Sequence, residues 1–314
     1  MNYLLLLVGF VLLIKGADLF VESSVGIAKF LKIPSLVVGM TIVAMGTSAP
    51  EAAVSITAAL GGANDIAVGN VLGSNIFNLL VVVGICAIIK PMDVEPSVLR
   101  REFPFSILIT GILLLLCLNL TGSAQGLYLS RLDGVILMLL FAAFLVYSIL
   151  AALRFKDQFP QEDETAPPLL KSILLAVVGI VGIVAGGQMV VNSASGIAAD
   201  FGVSQNLIGL TIVAIGTSLP ELVTSLVAAR KGENNIAMGN VIGSNIFNIL
   251  FVLAASAAIH PITVNILSIY DTIVLIVVSL ISYGFALKSK NVNRPEGLAM
   301  VLLYIAYSVY IVLR

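Results

Sequence analysis

The sequence predicts an all-α integral membrane protein with ten transmembrane helices in two inverted five-helix repeats. Three observations carry this prediction: a strongly apolar composition, a series of apolar runs of bilayer-spanning length, and an internal repeat. The 314 residues are 59% apolar and only 11% charged, with a mean hydropathy of +1.11. A soluble domain has about 25% charged residues, so this chain could not cover its surface in water. The net charge of −1 gives no reason to expect a nucleic acid as partner.

The apolar runs account for most of the chain. A bilayer core about 30 Å thick requires roughly 20 apolar residues per helix, and ten runs meet that requirement. A hydrophilic stretch follows the fifth run and divides the chain into a first half, 1–153, a linker, 154–170, and a second half, 171–314. The predicted spans are 3–22, 35–60, 66–89, 103–120, 131–153, 171–191, 206–229, 236–259, 268–287 and 296–313.

The loops between these spans predict the orientation. Thirteen Lys and Arg residues fall in loops on one side of the membrane, whereas only Arg131 and Arg314 fall on the other side. Cytoplasmic loops carry the excess of basic residues in membrane proteins. We therefore expect a plasma-membrane protein with the 154–170 linker in the cytoplasm and both termini outside.

A shift of 170 residues aligns the two halves. GMTIVAMGTSAPE at 39–51 matches GLTIVAIGTSLPE at 209–221, and NDIAVGNVLGSNIFN at 64–78 matches NNIAMGNVIGSNIFN at 234–248. Across 39–91, about 30 of 53 positions are identical to their partners. Because each half has five spans, an odd number, the second half begins on the opposite side of the membrane. Such inverted repeats are typical of secondary transporters, whose substrate site lies near the membrane midplane.

Each copy of the repeat places a proline and a glutamate inside its second span, at Pro50-Glu51 and Pro220-Glu221. A charged residue at the centre of a transmembrane helix costs about 2.5 to 3.5 kcal/mol on insertion scales, so both carboxylates need a cationic counter-charge. The prolines also break the helix, because they remove a backbone donor. The freed carbonyl and hydroxyl groups would lie beside a carboxylate. This pattern indicates a site for a mobile cation.

The third span of each half adds a polar stripe. Polar residues recur at every fourth position, which places them on one helix face. The chemistry is all oxygen, as calcium prefers, and neither block contains the His or Cys that would favour zinc or copper. The stripes therefore favour a hard cation, although small and amide-bearing residues also serve close helix packing. The two stripes are Asn70, Ser74 and Asn78, and Asn240, Ser244 and Asn248, with Asn75 and Asn245 beside them.

A few other ionisable residues are interpreted as structural. Lys15 is the lone lysine in the interior of a predicted span, and Asp18 lies three residues further along the same helix, so the two are expected to pair. Asp133 and Asp271 lie near span ends, where we expect them to be solvated.

The motifs GTSAPE and GTSLPE, each followed by GNVLGSNIFN or GNVIGSNIFN, resemble the alpha repeats of the calcium/cation antiporter superfamily. Within it the chain is similar to bacterial and archaeal sodium/calcium exchangers and to their potassium-dependent relatives, over nearly its whole length. Several relatives have an aspartate where this chain has Asn248, so potassium dependence does not carry over. The cation ligands that the resemblance implies are the Ala44 carbonyl, Thr47, Ser48, Glu51, Ser74 and Asn78, and the Ala214 carbonyl, Thr217, Ser218, Glu221, Ser244 and Asn248.

The resemblance implies an antiporter, not an enzyme, that expels calcium in exchange for sodium by alternating access. The expected substrates are calcium and sodium ions, with no prosthetic group. The expected surroundings are the lipid bilayer, with a monomer as the default state. Three alternatives stay open: a proton/calcium antiporter, a channel, and an intramembrane hydrolase with Ser48 or Ser218 as nucleophile. The hydrolase lacks a base, because the single histidine, His260, lies beside Pro261 at a span end.

Overall fold

The computed structural model describes residues 1–118, 127–154, 167–203 and 212–314. Most of the predicted 154–170 linker therefore lies outside the described residues, as do 119–120 and 206–211 of two predicted spans. Two-residue strands lie at Met92–Asp93, Tyr128–Leu129, Ile262–Thr263 and Asn291–Val292, and π-helical segments at Gly39–Val43, Asn78–Val82, Val98–Glu102 and Asn248–Leu253. The α-helices are Asn2–Leu31, Ser35–Val38, Ala44–Thr47, Ala49–Leu60, Asn64–Phe77, Val83–Ile89, Phe103–Cys117, Arg131–Arg154, Leu169–Asp200, Ala214–Thr217, Leu219–Lys231, Asn234–Phe247, Ala254–Ile259, Ile266–Ser289 and Arg294–Leu313.

The fold is mostly helical and suited to a bilayer. Seven helical stretches of the described chain are long and apolar enough to cross a membrane, and a bent helix pair, Ser35–Thr47 with Ala49–Leu60, makes an eighth candidate. Two predicted spans, 103–120 and 206–229, extend beyond the described residues, so the count of ten stays a prediction. The seven stretches are Asn2–Leu31, Asn64–Ile89, Arg131–Arg154, Leu169–Asp200, Asn234–Ile259, Ile266–Ser289 and Arg294–Leu313.

The described residues form two compact units, and each takes segments from both sequence repeats. Unit 1 comprises Met1–Pro50 and Tyr147–Asn240, and unit 2 comprises Glu51–Val146 and Val241–Arg314. Residues that the sequence places in different repeats therefore pack together within a single unit.

In unit 1, the first helices of the two repeats pack closely in antiparallel directions. A Cβ added to Gly16 would lie 2.7 Å from the backbone nitrogen of Ile183, and one added to Gly186 would lie 2.5 Å from that of Leu13. Residues near the start of one helix contact residues far along the other, as Gly9 does with Val190. Small residues at such positions allow transmembrane backbones to approach closely. The antiparallel arrangement is what an inverted repeat would produce.

A salt-bridge cluster in unit 1 corrects the expected pairing of Asp18. Lys231 Nζ lies 2.5 Å from Asp18 Oδ1 and 2.7 Å from Glu22 Oε1. Burial alone would lower the pKa of Lys231, but its hydrogen bonds to Asp18 and Glu22 and their charges outweigh burial and raise the pKa. The prediction that Asp18 pairs with Lys15 was wrong, because a tertiary contact supplies the cation.

In unit 2, each of two small antiparallel sheets joins two loops that the count of Lys and Arg residues assigns to the same side of the membrane. Met92–Asp93 pairs with Asn291–Val292, and Tyr128–Leu129 pairs with Ile262–Thr263. Asn64 Nδ2 also donates to Thr263 Oγ1 at 2.9 Å. Each sheet therefore agrees with the predicted partition of the loops into two sides.

Unit 2 also corrects the expected solvation of Asp271. This residue is buried, and its two carboxylate oxygens each accept a 2.7 Å hydrogen bond from the Arg314 guanidinium. A buried carboxylate needs such a partner because desolvation of an isolated charge is costly. The pair ties the end of the Arg294–Leu313 helix to the Ile266–Ser289 helix.

Candidate ion-binding site

The two glutamates of the repeats follow matching breaks in helical structure. Ser48 separates the Ala44–Thr47 and Ala49–Leu60 helices, and the flanking segments bend by 50° there. Ser218 separates Ala214–Thr217 from Leu219–Lys231 in the same way. A proline in the first turn is tolerated because the donor that it lacks would have no intrahelical partner there. Each glutamate thus lies in the first turn after a break.

The twelve predicted ligands divide between the two units. Ten of them are buried, including both glutamates at 0% exposure. Thr217 is half-buried. Unit 1 contains Ala44, Thr47, Ser48, Ala214, Thr217, Ser218 and Glu221, whereas unit 2 contains Glu51, Ser74, Asn78, Ser244 and Asn248.

In unit 1, only one of the two carboxylate oxygens of Glu221 accepts a hydrogen bond from the described residues. Ser48 Oγ donates a 2.7 Å hydrogen bond to Glu221 Oε1. The other carboxylate oxygen, Oε2, is buried and has no hydrogen-bond partner among the described residues. None of the ion pairs formed by Lys231 and Arg314 involves Glu221. A buried acceptor in this state is costly unless a cation or a donor completes it.

Asn240 links the backbone of Glu221 to two neighbouring hydroxyl groups. Its side-chain nitrogen donates to Ser225 Oγ at 2.9 Å and to the Glu221 carbonyl at 3.4 Å. Its oxygen accepts a 3.0 Å hydrogen bond from Thr47 Oγ1. The Thr47 hydroxyl also lies within donating distance of the Ala44 carbonyl, at 3.3 Å, so its one proton serves these two acceptors and its oxygen keeps lone pairs suited to a cation. Asn240 therefore orients Thr47, one of the predicted ligands.

In unit 2, two asparagines bind each other reciprocally. Asn75 Nδ2 donates to the Asn245 carbonyl at 3.2 Å, and Asn245 Nδ2 donates to the Asn75 carbonyl at 3.3 Å. Their side-chain oxygens each accept from the next polar residue of the opposite repeat: Asn78 Nδ2 donates to Asn245 Oδ1 at 3.2 Å, and Asn248 Nδ2 donates to Asn75 Oδ1 at 3.1 Å. The network fixes how the amides of Asn78 and Asn248 are turned.

This network leaves two acceptors available in unit 2. Because the amide nitrogens of Asn78 and Asn248 point into the network, their Oδ1 atoms point away from it. Both oxygens are buried and have no hydrogen-bond partner among the described residues. Ser74 Oγ donates to Glu51 Oε1 at 3.3 Å and accepts from Asn248 Nδ2 at 3.4 Å. The predicted ligands Glu51, Ser74, Asn78 and Asn248 therefore belong to one connected cluster.

The helices widen where these amides lie. A π-helical segment begins at Asn78 and another begins at Asn248, and these are equivalent positions of the two repeats. Single π-helical turns within α-helices are rare and are frequent at functional sites. Both polar stripes therefore depart from regular α-helical geometry at equivalent positions of the two repeats.

The donor atoms in both units suit hard cations. They are carboxylate, hydroxyl, amide and carbonyl oxygens, which calcium binds in sets of six to eight with tolerance for irregular geometry. Among the described residues, no group of three or more His, Cys, Asp or Glu side chains could hold a metal ion. Oxygen from neutral side chains must therefore supply most of any ion's ligands.

Sequence reasoning missed three residues near the site. Ser55 and Ser225 each accept a 2.9 Å hydrogen bond, from Asn70 and Asn240 respectively. The sequence feature that could have identified them is that they occupy equivalent positions of the two repeats, four residues after each glutamate. The third is Thr224, whose hydroxyl is buried and has no hydrogen-bond partner among the described residues. The sequence feature that could have identified Thr224 is that the two copies of the repeat have different residues at this position.

Comparison with known proteins decides the family. The family model described as sodium/calcium exchanger protein matches residues 1–150 and 171–313. The chain belongs to the sodium/calcium exchanger protein family. The match covers nearly all of both predicted halves and omits the whole predicted linker. Membership makes the chain a multi-pass membrane transport protein that carries out cation/calcium antiport, with ions as substrates.

Individual relatives agree with this family. The chain is 41% identical to the putative antiporter CaxA of Alkalimonas amylolytica over 307 residues, which cover 96% of this chain and 95% of that protein. It is 34% identical to the sodium/calcium exchanger MaX1 of Methanosarcina acetivorans over 348 residues, which cover 98% and 97% of the two chains. Both relatives match this family member along nearly their whole length.

The fold agrees as well. A solved structure of the sodium-calcium exchanger NCX_Mj superposes on this family member with a TM-score of 0.84 at 32% sequence identity, covering 97% of each chain. The membrane-exchanger fold predicted from the repeats is thus confirmed at the level of overall architecture. The potassium-dependent branch stays a resemblance.

Proposed function

We propose that this family member exchanges sodium for calcium across the plasma membrane by alternating access, with ten spans in two inverted five-helix repeats. The observation that carries the proposal is a set of buried oxygens without hydrogen-bond partners in the described chain: Glu221 Oε2, Asn78 Oδ1 and Asn248 Oδ1. All three belong to residues predicted as cation ligands. A buried acceptor that lacks a donor loses free energy unless an ion completes it.

Charge supports an exchange of these two ions. Glu51 and Glu221 are both fully buried, and together they carry a charge of −2 when ionised. One calcium ion or two sodium ions would neutralise that charge. If both loads use the same carboxylates in turn, they compete, and competition couples their movements in opposite directions. A third sodium ion would move one net charge per cycle, and the membrane potential would contribute about 2.3 kcal/mol per 100 mV.

The proposed ligand set is the full group of twelve residues from the two repeats. Contacts between predicted ligands of different repeats, within each unit, support it. Ser48 donates to Glu221 in unit 1, and Asn248 donates to Ser74, which donates to Glu51, in unit 2. These contacts are what a site built from both repeats would require.

We also propose that the termini lie outside and the 154–170 linker lies in the cytoplasm. The basic-residue count supports this orientation. The strand pairs of unit 2 support the underlying partition, since each pair joins two loops assigned to one side.

Calcium uptake into sodium-loaded proteoliposomes tests the function. An outward sodium gradient should drive uptake, whereas matched potassium or lithium gradients should not. The Glu221→Gln variant serves as the inactive control. Uptake driven by a proton gradient and indifferent to sodium would replace sodium by protons. Calcium flux that needs no counter-ion would identify a channel and contradict the proposal.

A further inference from the structure

We propose that Asn75 and Asn245, which are not among the twelve predicted ligands, are positioning residues for cation binding. Each holds the amide of a predicted ligand in the other repeat, so that this amide presents its oxygen to the ion. The inference deepens the proposed sodium/calcium exchange and rests on it, because Asn78 and Asn248 are ligands only under that proposal. All four residues belong to unit 2.

The two positioning residues occupy equivalent positions of the repeats, 170 residues apart. Both are buried, with Asn75 at 0% and Asn245 at 1% exposure. The side-chain nitrogen of each donates to the backbone carbonyl of the other, at 3.2 and 3.3 Å. An amide carries its donor and its acceptor on opposite arms, so anchoring the nitrogen also fixes the direction of Oδ1. Each positioning residue therefore offers its neighbours a fixed acceptor.

These fixed acceptors determine which arm of the neighbouring amide faces them. Asn78 Nδ2 donates to Asn245 Oδ1 at 3.2 Å, and Asn248 Nδ2 donates to Asn75 Oδ1 at 3.1 Å. The Oδ1 atoms of Asn78 and Asn248 are buried without a hydrogen-bond partner among the described residues. Both contacts cross between the repeats, so a residue of one repeat orients a predicted ligand of the other.

The orientation of these amides matters because their two arms act oppositely on a cation. The oxygen is an acceptor that attracts the ion, whereas the NH2 group is a donor that repels it. A half-turn about the last side-chain bond exchanges the two arms with little change in shape. Without a fixed acceptor, the amide would spend part of its time turned the wrong way, and ion affinity falls in proportion to the fraction that is turned correctly.

Helix packing is the alternative role for this pair, since amides also hold transmembrane helices together. Packing sets no requirement on how the neighbouring amides are turned. The two roles therefore differ when a neighbour is replaced by aspartate, which has an oxygen on both arms. A positioning residue beside an aspartate has nothing left to orient, whereas a packing residue is needed as before.

The test is a double-mutant cycle between Asn245→Leu and Asn78→Asp. Leucine keeps the branched shape of asparagine and removes the acceptor. The purified full-length proteins are titrated at alkaline pH with calcium chloride, and separately with sodium chloride in a choline chloride background, and the thermal midpoint is followed. Asn245→Leu combined with Asn248→Asp is the matched control, because Asn248 is oriented by the other positioning residue. Thr110→Val is the control for packing, since its buried hydroxyl donates to the Ser106 carbonyl at 2.9 Å outside the ligand set.

We expect Asn245→Leu to raise the half-saturating calcium concentration by about tenfold, because the Asn78 nitrogen loses its acceptor and the amide turns. The half-saturating sodium concentration should rise as well, since the fraction of correctly turned amide is set before any ion binds. The loss should persist in the Asn248→Asp background and shrink to less than about twofold in the Asn78→Asp background. Thr110→Val should melt lower than the parent with unchanged ion affinities.

The second repeat position gives a mirrored cycle. The calcium affinity lost in Asn75→Leu should be recovered in the Asn248→Asp background and not in the Asn78→Asp background. The loss should be smaller than in Asn245→Leu, because Asn248 Nδ2 also donates to Ser74 Oγ at 3.4 Å. Should Asn245→Leu fail to fold, this cycle decides the question.

Two results would overturn the inference. Unchanged ion affinities in both leucine variants would show that the pair orients no ligand. Equal losses in all backgrounds would assign the pair to helix packing. The proposed function fails separately, because the titrations measure binding alone. A parent that binds both ions but takes up calcium without a sodium gradient would contradict exchange, while the two cycles would still decide whether the pair positions the ligands.

Discussion

Ser48 and Glu221, which are 173 residues apart in the sequence, are joined by a 2.7 Å hydrogen bond between the serine hydroxyl and carboxylate oxygen Oε1. Ser48 belongs to the first repeat and Glu221 to the second. Oε2 of the same carboxylate has no hydrogen-bond partner among the described residues. The helix break at Ser48 therefore helps to position a carboxylate of the other repeat.

This bond gives a first prediction. Ser48→Ala should raise the calcium concentration for half-maximal exchange by about tenfold or more, because hydrogen bonds to charged groups contribute about 1.5 to 3 kcal/mol. The assay is calcium uptake into proteoliposomes at several calcium concentrations. Ser256→Ala is the matched control, since its buried hydroxyl donates to the Val252 carbonyl at 2.8 Å outside the ligand set. Equal effects of the two changes would count against a specific role for Ser48.

The glutamates give a second prediction. Glu51→Gln and Glu221→Gln should each abolish calcium exchange while leaving a folded protein, because each removes half of the proposed site charge and relieves a costly buried carboxylate. Uptake assays and size-exclusion profiles of the purified variants check this. Exchange near the parental rate in either variant would remove that glutamate from the ligand set.

Acid should inhibit transport. Protons and cations compete for the same carboxylates, and a protonated carboxyl group loses the charge that attracts calcium. The half-saturating calcium concentration should therefore rise as the pH falls from about 8 to about 5.5. Calcium titrations across this range measure the effect, with Thr110→Val as a control that should follow the parent. A flat profile would contradict the proposed competition.

Potassium should not be required, and Asn248→Asp should alter the pH response. Asn248 Nδ2 donates to Asn75 Oδ1 at 3.1 Å and to Ser74 Oγ at 3.4 Å. An ionised aspartate cannot donate, and it replaces a neutral amide by a titratable group. Exchange by the variant should thus depend more steeply on pH than exchange by the parent. Uptake against pH, with and without potassium, measures both points. Parallel pH curves or an absolute potassium requirement in the parent would refute the respective claim.

The orientation can be tested by labelling. A single cysteine at Glu162, in a background without Cys86 and Cys117, should resist an impermeant thiol reagent added to intact cells and react after the membrane is opened. The basic-residue count is the reason. A cysteine in place of Asn2, near the N-terminus, should react in intact cells and serves as the opposite control. Reaction at position 162 in intact cells would reverse the assignment.

The family and the exchanger architecture could be predicted from the sequence because short motifs and apolar runs, which recur in both halves, indicate them. The apolar runs indicate that each helix is surrounded by lipid. The repeat, with its shift of 170 residues, indicates that the two halves are copies of one structural unit. The Pro-Glu pairs and the four-residue spacing of the stripes gave the ligand candidates. These signals need no knowledge of which helices touch.

Only the tertiary structure decided the partners of the polar groups. Asp18 pairs with Lys231, 213 residues away, and Asp271 pairs with Arg314 at the end of another helix. The reciprocal bonds between Asn75 and Asn245 turn the neighbouring amides so that their oxygens stay available. Hydrogen bonds and ion pairs depend on the approach of helices distant in sequence, and periodicity along one helix cannot report that approach.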